Sequence, residues 1–106
     1  MIPITLDNTM LVLALKSIND CVCITDLADN ILFINESFLR TYGYSEEELI
    51  GKPLDIVRSD NISQEIVSGI IPATLRGGWR GELVNRRKDG SELIVNIVTS
   101  VIRDDQ

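Results

Sequence analysis

Apolar positions recur along the chain with two different periods, and the changes of period mark the elements. In "TLDNTMLVLALKSIND" the residues Leu6, Met10, Leu13 and Ala14 fall on one helical row, with Leu11, Leu15 and Ile18 on the adjoining one. The stripe is too broad for a helix lying alone on water, so a helix within residues 1–19 is predicted to flank the rest and to be covered on more than one side. Asp7 or Thr5 suits its N-cap. The next stretches, "CVCITD" and "ILFI", read as two short strands joined by the Asp- and Asn-rich turn "LADN".

Helical spacing then returns. Asn35 is placed to cap a short helix, "ESFLRTYG", that Gly43 ends. Ser45 opens another as "SEEE", the S-x-x-E capping box, with Gly51 and Pro53 stopping it. A longer helical pattern follows, with Ile62, Ile66 and Ile70 on one row and Val67 and Ile71 beside it. Gly69 and Pro72 predict a kink or break near its end.

The last stretch, "WRGELVNRRKDGSELIVNIVTSVI", alternates with period two on both sides of a KDG turn. A two-residue Asp89-Gly90 loop would set Asn85 against Ile94 and Leu83 against Asn96, mixing both faces. A three-residue Lys88-Asp89-Gly90 loop, with Gly90 left-handed, pairs Arg87 with Ser91 and sorts them. Trp79, Leu83 and Asn85 then share a face with Leu93, Val95, Ile97, Thr99 and Val101. Arg80, Glu82, Arg86, Glu92, Asn96 and Ser100 collect on the other, with Arg86 across from Glu92 as a favourable pair worth ~0.2–1 kcal/mol. A slip of one residue scrambles both faces, which selects the three-residue loop. The polar face also carries an apolar seam of Val84, Ile94, Val98 and Ile102, and the N-terminal helix is the nearest cover for it.

At 106 residues the chain suits a single core. Its net charge of −6 argues against a phosphate-binding surface, so no nucleic-acid partner is expected. No apolar run reaches the ~18–20 residues that span a bilayer, and no signal-peptide pattern opens the chain. The expectation is a cytoplasmic segment that makes no membrane contact. Cys21 and Cys23 sit two apart on a predicted strand, where a relaxed disulfide cannot form, and a reduced pair fits best. A C-x-C pair supplies two metal ligands, and the chain contains no histidine to complete a zinc or haem site. The same lack removes the imidazole base, and the acidic clusters read as solvated surface, so no catalysis is expected within this chain.

Two blocks of residues carry a family resemblance. "ITDLADNILFINESFLRTYGYSEEELIGKPL" resembles the first half of a PAS domain, whose pattern is a strand, a turn, I-x-x-x-N, a short helix, then GYS-x-E-E-L-I-G. "WRGELVNRRKDGS" is similar to the second-half pattern W-x-G-E…N-R-R-K-D-G-S. Both occur in order and at the family's usual separation, together covering about residues 20 to 104. The resemblance implies an α+β, PAS-like fold. Its five-stranded antiparallel sheet carries short helices on one face, with an N-terminal helix flanking the other. On this reading residues 1–19 are a flanking helix and residues 20–106 a PAS core lacking its final strand, cut at the turn "RDDQ". That absent strand would be central, its place taken by a segment such as "MIPITL" from this or a partner chain, by direct pairing of the two edges or by water, with a segment supplied within a dimer favoured.

The resemblance also implies a sensory or regulatory module. It binds a small ligand or cofactor and signals to an effector of the histidine kinase or diguanylate cyclase type. The pocket between sheet and helices is expected to involve Trp79, Leu83, Asn85, Val95, Ile97 and Leu54. Trp79 suits stacking on a planar ligand, though core packing at a strand start fits it better. Asn85 falls where flavin-binding members place a contacting asparagine, though satisfying a strand or helix end is the simpler role. Glu48 and Lys88 would form an ion pair across the pocket mouth. The ligand is not identified. His-ligated haem is excluded by the lack of histidine, and a cysteinyl-flavin photoadduct because Gly51-Lys52-Pro53-Leu54 stands where G-x-N-C is needed. Asp29 occupies a turn position where the family often has glycine, at a cost of roughly 1 kcal/mol. A homodimer is expected through the N-terminal helix (Met10, Leu13) and the outer sheet face (Val84, Ile94, Val98, Ile102). The alternative to a ligand-binding sensor is a ligand-free module for dimerisation and signal relay.

Overall fold

The computed structural model describes residues 19–101, which divide between Leu54 and Asp55 into two units. The expected N-terminal helix with Met10 and Leu13, the segment "MIPITL", the Ile102 end of the seam and the "RDDQ" turn all lie outside the described residues. The described strands and short helices have the α+β composition expected, in antiparallel ladders.

In the first unit, β1 (Cys23–Thr25) pairs antiparallel with β2 (Ile31–Ile34), with a register irregularity between Ile24 and Thr25. Their turn is organised by one carboxylate: Asp26 Oδ1 accepts from the backbone N–H groups of Ala28 and Asn30, each at 2.9 Å. Asp29 takes the left-handed conformation at φ 69°, the strain expected where glycine would be relaxed. The other edge of β2 is occupied as well. Gly51 N–H donates to the Ile31 carbonyl at 2.8 Å, Ile31 N–H to Lys52 at 2.9 Å, and Leu54 N–H to Asp29 at 2.9 Å.

Helix α1 (Glu36–Tyr42) and helix α2 (Glu46–Leu49) start and stop where local chemistry predicts. Asn35 caps α1 and Gly43 ends it in the left-handed region at φ 81°. The Ser45–Glu48 capping box is complete in both directions, at 3.3 Å and 3.0 Å. The buried hydrophobic side chains of this unit are Ile31, Ile34, Phe38, Tyr42 and Leu49, and the Phe38 and Tyr42 rings lie 4.5 Å apart.

The second unit follows a 3-10 turn over Leu54–Val57 and contains α3 (Gln64–Arg76), β3 (Trp79–Arg86) and β4 (Glu92–Thr99). The expected break in α3 does not occur: the helix runs through Gly69 and Pro72 to a Gly77 cap, while Ile62 precedes it. Proline costs a helix one N–H bond, here to the carbonyl of Ser68. That residue is exposed, so water can take the proline's place.

The hairpin has the three-residue loop and the register that patterning selects. Arg87 N–H donates to the Ser91 carbonyl at 2.8 Å, Gly90 sits at φ 91°, and the ladder runs from Arg86↔Glu92 to Trp79↔Thr99. Arg58 and Asn85 form a further antiparallel bridge along the edge of β3 away from β4, with Ser59 N–H on the Val84 carbonyl at 3.1 Å. Among the described residues β1 ladders with β2 and β4 with β3.

Candidate functional site

The inner face of the β3–β4 hairpin brings together five of the six expected pocket residues. The pairs Trp79↔Thr99, Gly81↔Ile97, Leu83↔Val95 and Asn85↔Leu93 alternate onto one face. Leu83 and Asn85 are buried, at 3% and 4% exposure, while Trp79, Val95 and Ile97 are half-buried. Leu54, the sixth, closes the first unit. Asn85 puts a side-chain amide on this face beside the apolar Leu83, Leu93, Val95 and Ile97; its buried Oδ1 accepts no hydrogen bond, although the residue engages other groups.

Gly81 explains how Trp79 fits the floor. A Cβ built on Gly81 would lie 2.7 Å from Trp79 Cη2 and 2.9 Å from Cζ2, so the indole lies along its own strand in the space a side chain would take. The W-x-G spacing is therefore a packing requirement of one strand face.

Three hydrogen bonds make Asn35 a structural hub. Fully buried, its Oδ1 accepts from Phe38 N–H at 3.1 Å and Val22 N–H at 2.9 Å, and its Nδ2 donates to the Asp20 carbonyl at 2.7 Å. One side chain thus caps α1 and ties it to the strand entry. Beside it the Ser37 hydroxyl donates to the Asn19 carbonyl, and Cys21 Sγ lies 3.3 Å from Thr41 Oγ1.

Sequence reasoning missed a polar clasp on the second unit. The buried Ser59 hydroxyl donates to Glu92 Oε2, and Asn61 Nδ2 donates to the same oxygen at 3.1 Å. These donors, Ser59 first, hold the Glu92 carboxyl below its ordinary range, with the charge of Arg86 adding a smaller push. Arg86 is register partner to Glu92 as expected, but its guanidinium makes its ion pair with Asp60 at 3.2 Å. The expected cross-strand pair is thus drawn out toward the 59–61 loop, because that loop offers closer partners. Asp26 and Asp89 are likewise shifted down, Asp26 chiefly by the Asn30 N–H and Asp89 chiefly by the Ser91 hydroxyl. Each serves a turn.

On the outer face Ile94 and Val98 are 71% and 68% exposed, and Val84 is half-buried. Glu48 stands in the α2 capping box of the first unit and Lys88 in the hairpin loop of the second. No helix among the described residues is long and apolar enough to cross a membrane, and no cluster of three metal-ligating side chains occurs among them.

Comparison with known proteins bears on this architecture. The chain is 34% identical over 83 residues to a nitrogen fixation regulatory protein of Klebsiella oxytoca, covering 76% of this chain and 17% of that protein. It is 35% identical over 68 residues to the aerotaxis receptor of Escherichia coli, covering 62% of this chain and 13% of the receptor. The chain therefore spans under a fifth of the length of these relatives. A PAS domain crystal structure from Colwellia psychrerythraea superposes with a TM-score of 0.83 at 28% identity, covering 92% of this chain and 83% of that one.

A Light-Oxygen-Voltage domain studied with a flavin analogue is similar at a TM-score of 0.65 and 25% identity, over 72% of this chain and 57% of that one. Vivid and an RNA-binding Light-Oxygen-Voltage receptor share the fold at 20% identity. These neighbours overturn the cofactor expectation, which left the ligand open and set aside flavin photochemistry from the Gly51–Leu54 segment. That argument weighed one loop, whereas the likeness to a domain studied with a flavin lies in the fold as a whole. The PAS domain family matches residues 19–106, and with these relatives in regulatory and receptor proteins the chain belongs to that family of sensory modules.

Proposed function

We propose that this chain is the input module of a larger signalling protein, binding a small ligand and passing a change to an effector of the histidine kinase or diguanylate cyclase type. The observation that carries the ligand-binding reading is the inner hairpin face. Apolar Leu83, Val95 and Ile97 share it with the indole of Trp79 and the buried amide of Asn85. Small-molecule sites have this make-up, an apolar lining with few fixed polar groups. Leu54 is proposed to join them, with residues 20–106 as the core and residues 1–19 as the flanking helix.

A flavin fits these residues in kind. Its ring faces suit aliphatic and indole contacts, and its polar edge suits an amide that both donates and accepts. The similar domain studied with a flavin analogue supports testing this class first. Native mass spectrometry and the visible spectrum of gently purified protein make the test. The expected result is a stoichiometric small molecule, diminished by Asn85→Leu. Protein that carries none, and takes up no flavin in titration, would sink the reading.

A second reading, ligand-free dimerisation and relay, is favoured by the exposure of Ile94 and Val98 on the outer face. The interface proposed is that face (Val84, Ile94, Val98, Ile102) with the N-terminal segment bearing Met10 and Leu13. An ion pair between Glu48 and Lys88 is proposed under either reading.

A further inference from the structure

The C-terminal end of α3 and the last residue of β4 are joined by two hydroxyls in hydrogen-bond contact. Thr74 Oγ1 donates to the Ile70 carbonyl one turn back at 2.7 Å. It lies 2.5 Å from Thr99 Oγ1, and Trp79 N–H donates to that same Thr99 oxygen at 2.9 Å. A threonine hydroxyl has one proton to give. With Thr74's proton on Ile70, Thr99 must supply the proton between the two hydroxyls. Its other option, the Trp79 carbonyl, lies at 3.4 Å. The bonds then run one way: Trp79 N–H to Thr99 hydroxyl, to Thr74 hydroxyl, to Ile70 carbonyl. Each hydroxyl accepts once and donates once, the arrangement in which neighbouring bonds polarise and strengthen one another.

The intervening backbone is a glycine pair whose amides close the helix, Gly77 N–H on the Thr74 carbonyl and Gly78 N–H on the Ala73 carbonyl, each at 3.1 Å. Gly77 and Gly78 join α3 to β3 at φ 153° and 130°, and a Cβ on Gly78 would lie 2.9 Å from the Thr99 carbonyl oxygen. The pair bends the chain sharply and lets it approach β4 closely. We propose that the Trp79–Thr99–Thr74–Ile70 chain is a latch, hinged at Gly77–Gly78, that couples movement of α3 to the end of β4. It deepens the sensory reading on which its biological role rests, since α3 carries the buried Ile70 and β4 leads into the chain beyond residue 101.

Hydrogen exchange on ligand-free protein tests the latch, with Thr74→Val as the central variant because Thr74 does not itself touch the Trp79 amide. Exchange at Trp79 N–H should rise roughly three- to tenfold, the loss of one net hydrogen bond, while the Phe38 and Gly90 amides keep their rates. Thr74→Ser should restore protection. Adding Thr74→Val to Thr99→Val should change nothing further, since the chain is already cut. Thr74→Ala removes the same hydroxyl without adding bulk and reads the same step if valine is not accommodated. An unmoved Trp79 amide, a serine variant as fast as valine, or additive effects in the double variant would each overturn the latch. Because no ligand is present, these outcomes leave the sensory reading untouched, and a failed ligand search leaves the latch untouched.

Discussion

The indole of Trp79 occupies the space a side chain on Gly81 would need, with Cη2 2.7 Å from where that Cβ would stand. The contact is made within one strand, between residues two apart that share a face. It orients the chain's one tryptophan on the face proposed to bind a ligand.

Gly81→Ala should therefore act on Trp79 first. The expected cost is about 1–3 kcal/mol, typical of overpacking, with a shift in tryptophan emission as the ring is expelled. Urea unfolding followed by fluorescence measures both. An alanine variant with wild-type emission and midpoint would show that the ring moves aside freely.

Asn35 combines a cap with two long-range bonds, so its loss should exceed that of a cap alone. Asn35→Ala is expected to cost more than ~2 kcal/mol in chemical unfolding, since it strips Phe38 and Val22 N–H of their acceptor. Asn35→Asp keeps the acceptor but loses the donor to Asp20, and should fall between alanine and wild type. Equal losses for both variants would assign the whole effect to that donor bond.

The Glu92 clasp gives a pH signature. Its carboxyl is held below the ordinary 4.5 by Ser59 and then Asn61, so the folded state favours the ionised form. Stability from this group is present above the unfolded pKa and lost as pH falls through the folded one. Glu92→Gln should be less stable than wild type at neutral pH, with the gap closing as pH drops below about 4.5. Asp26 and Asp89 titrate in the same direction, so the difference between the two proteins is the quantity to follow. A gap independent of pH would remove the charge from the argument.

The proposed Glu48–Lys88 pair is testable by a double-mutant cycle with Glu48→Gln and Lys88→Gln, because glutamine preserves the capping box. A coupling of up to ~1 kcal/mol is expected, shrinking in salt. Additive single effects would dispose of the pair.

For the dimer reading, Met10→Glu with Leu13→Glu should give a monomer by light scattering, as should Ile94→Lys with Val98→Lys on the outer face. Each buried apolar side chain lost from an interface removes on the order of 1.5–3 kcal/mol. Folded variants that keep the mass of wild type would place any interface elsewhere.

Features that depend on a few neighbouring residues are legible in the chain alone. The KDG loop and its register follow from period-two patterning, because a slip of one residue turns every side chain over. The Asn35 and Ser45 caps, the Gly43 stop and the left-handed Asp29 are likewise set by groups within one turn of chain. The rest needed the tertiary structure. Ser59 meets Glu92 from 33 positions away and Thr74 meets Thr99 from 25, and nothing in either hydroxyl's local surroundings names its partner. Pro72 signalled a break that the helix does not show, since one lost bond at an exposed turn weighs less than the continuous helix around it. Arg86 was placed correctly opposite Glu92, yet its charge went to Asp60, because a surface side chain takes the nearest partner the fold presents. Short-range stereochemistry is written residue by residue, whereas the choice among many equivalent polar partners is made by which segments the fold brings within 3 Å.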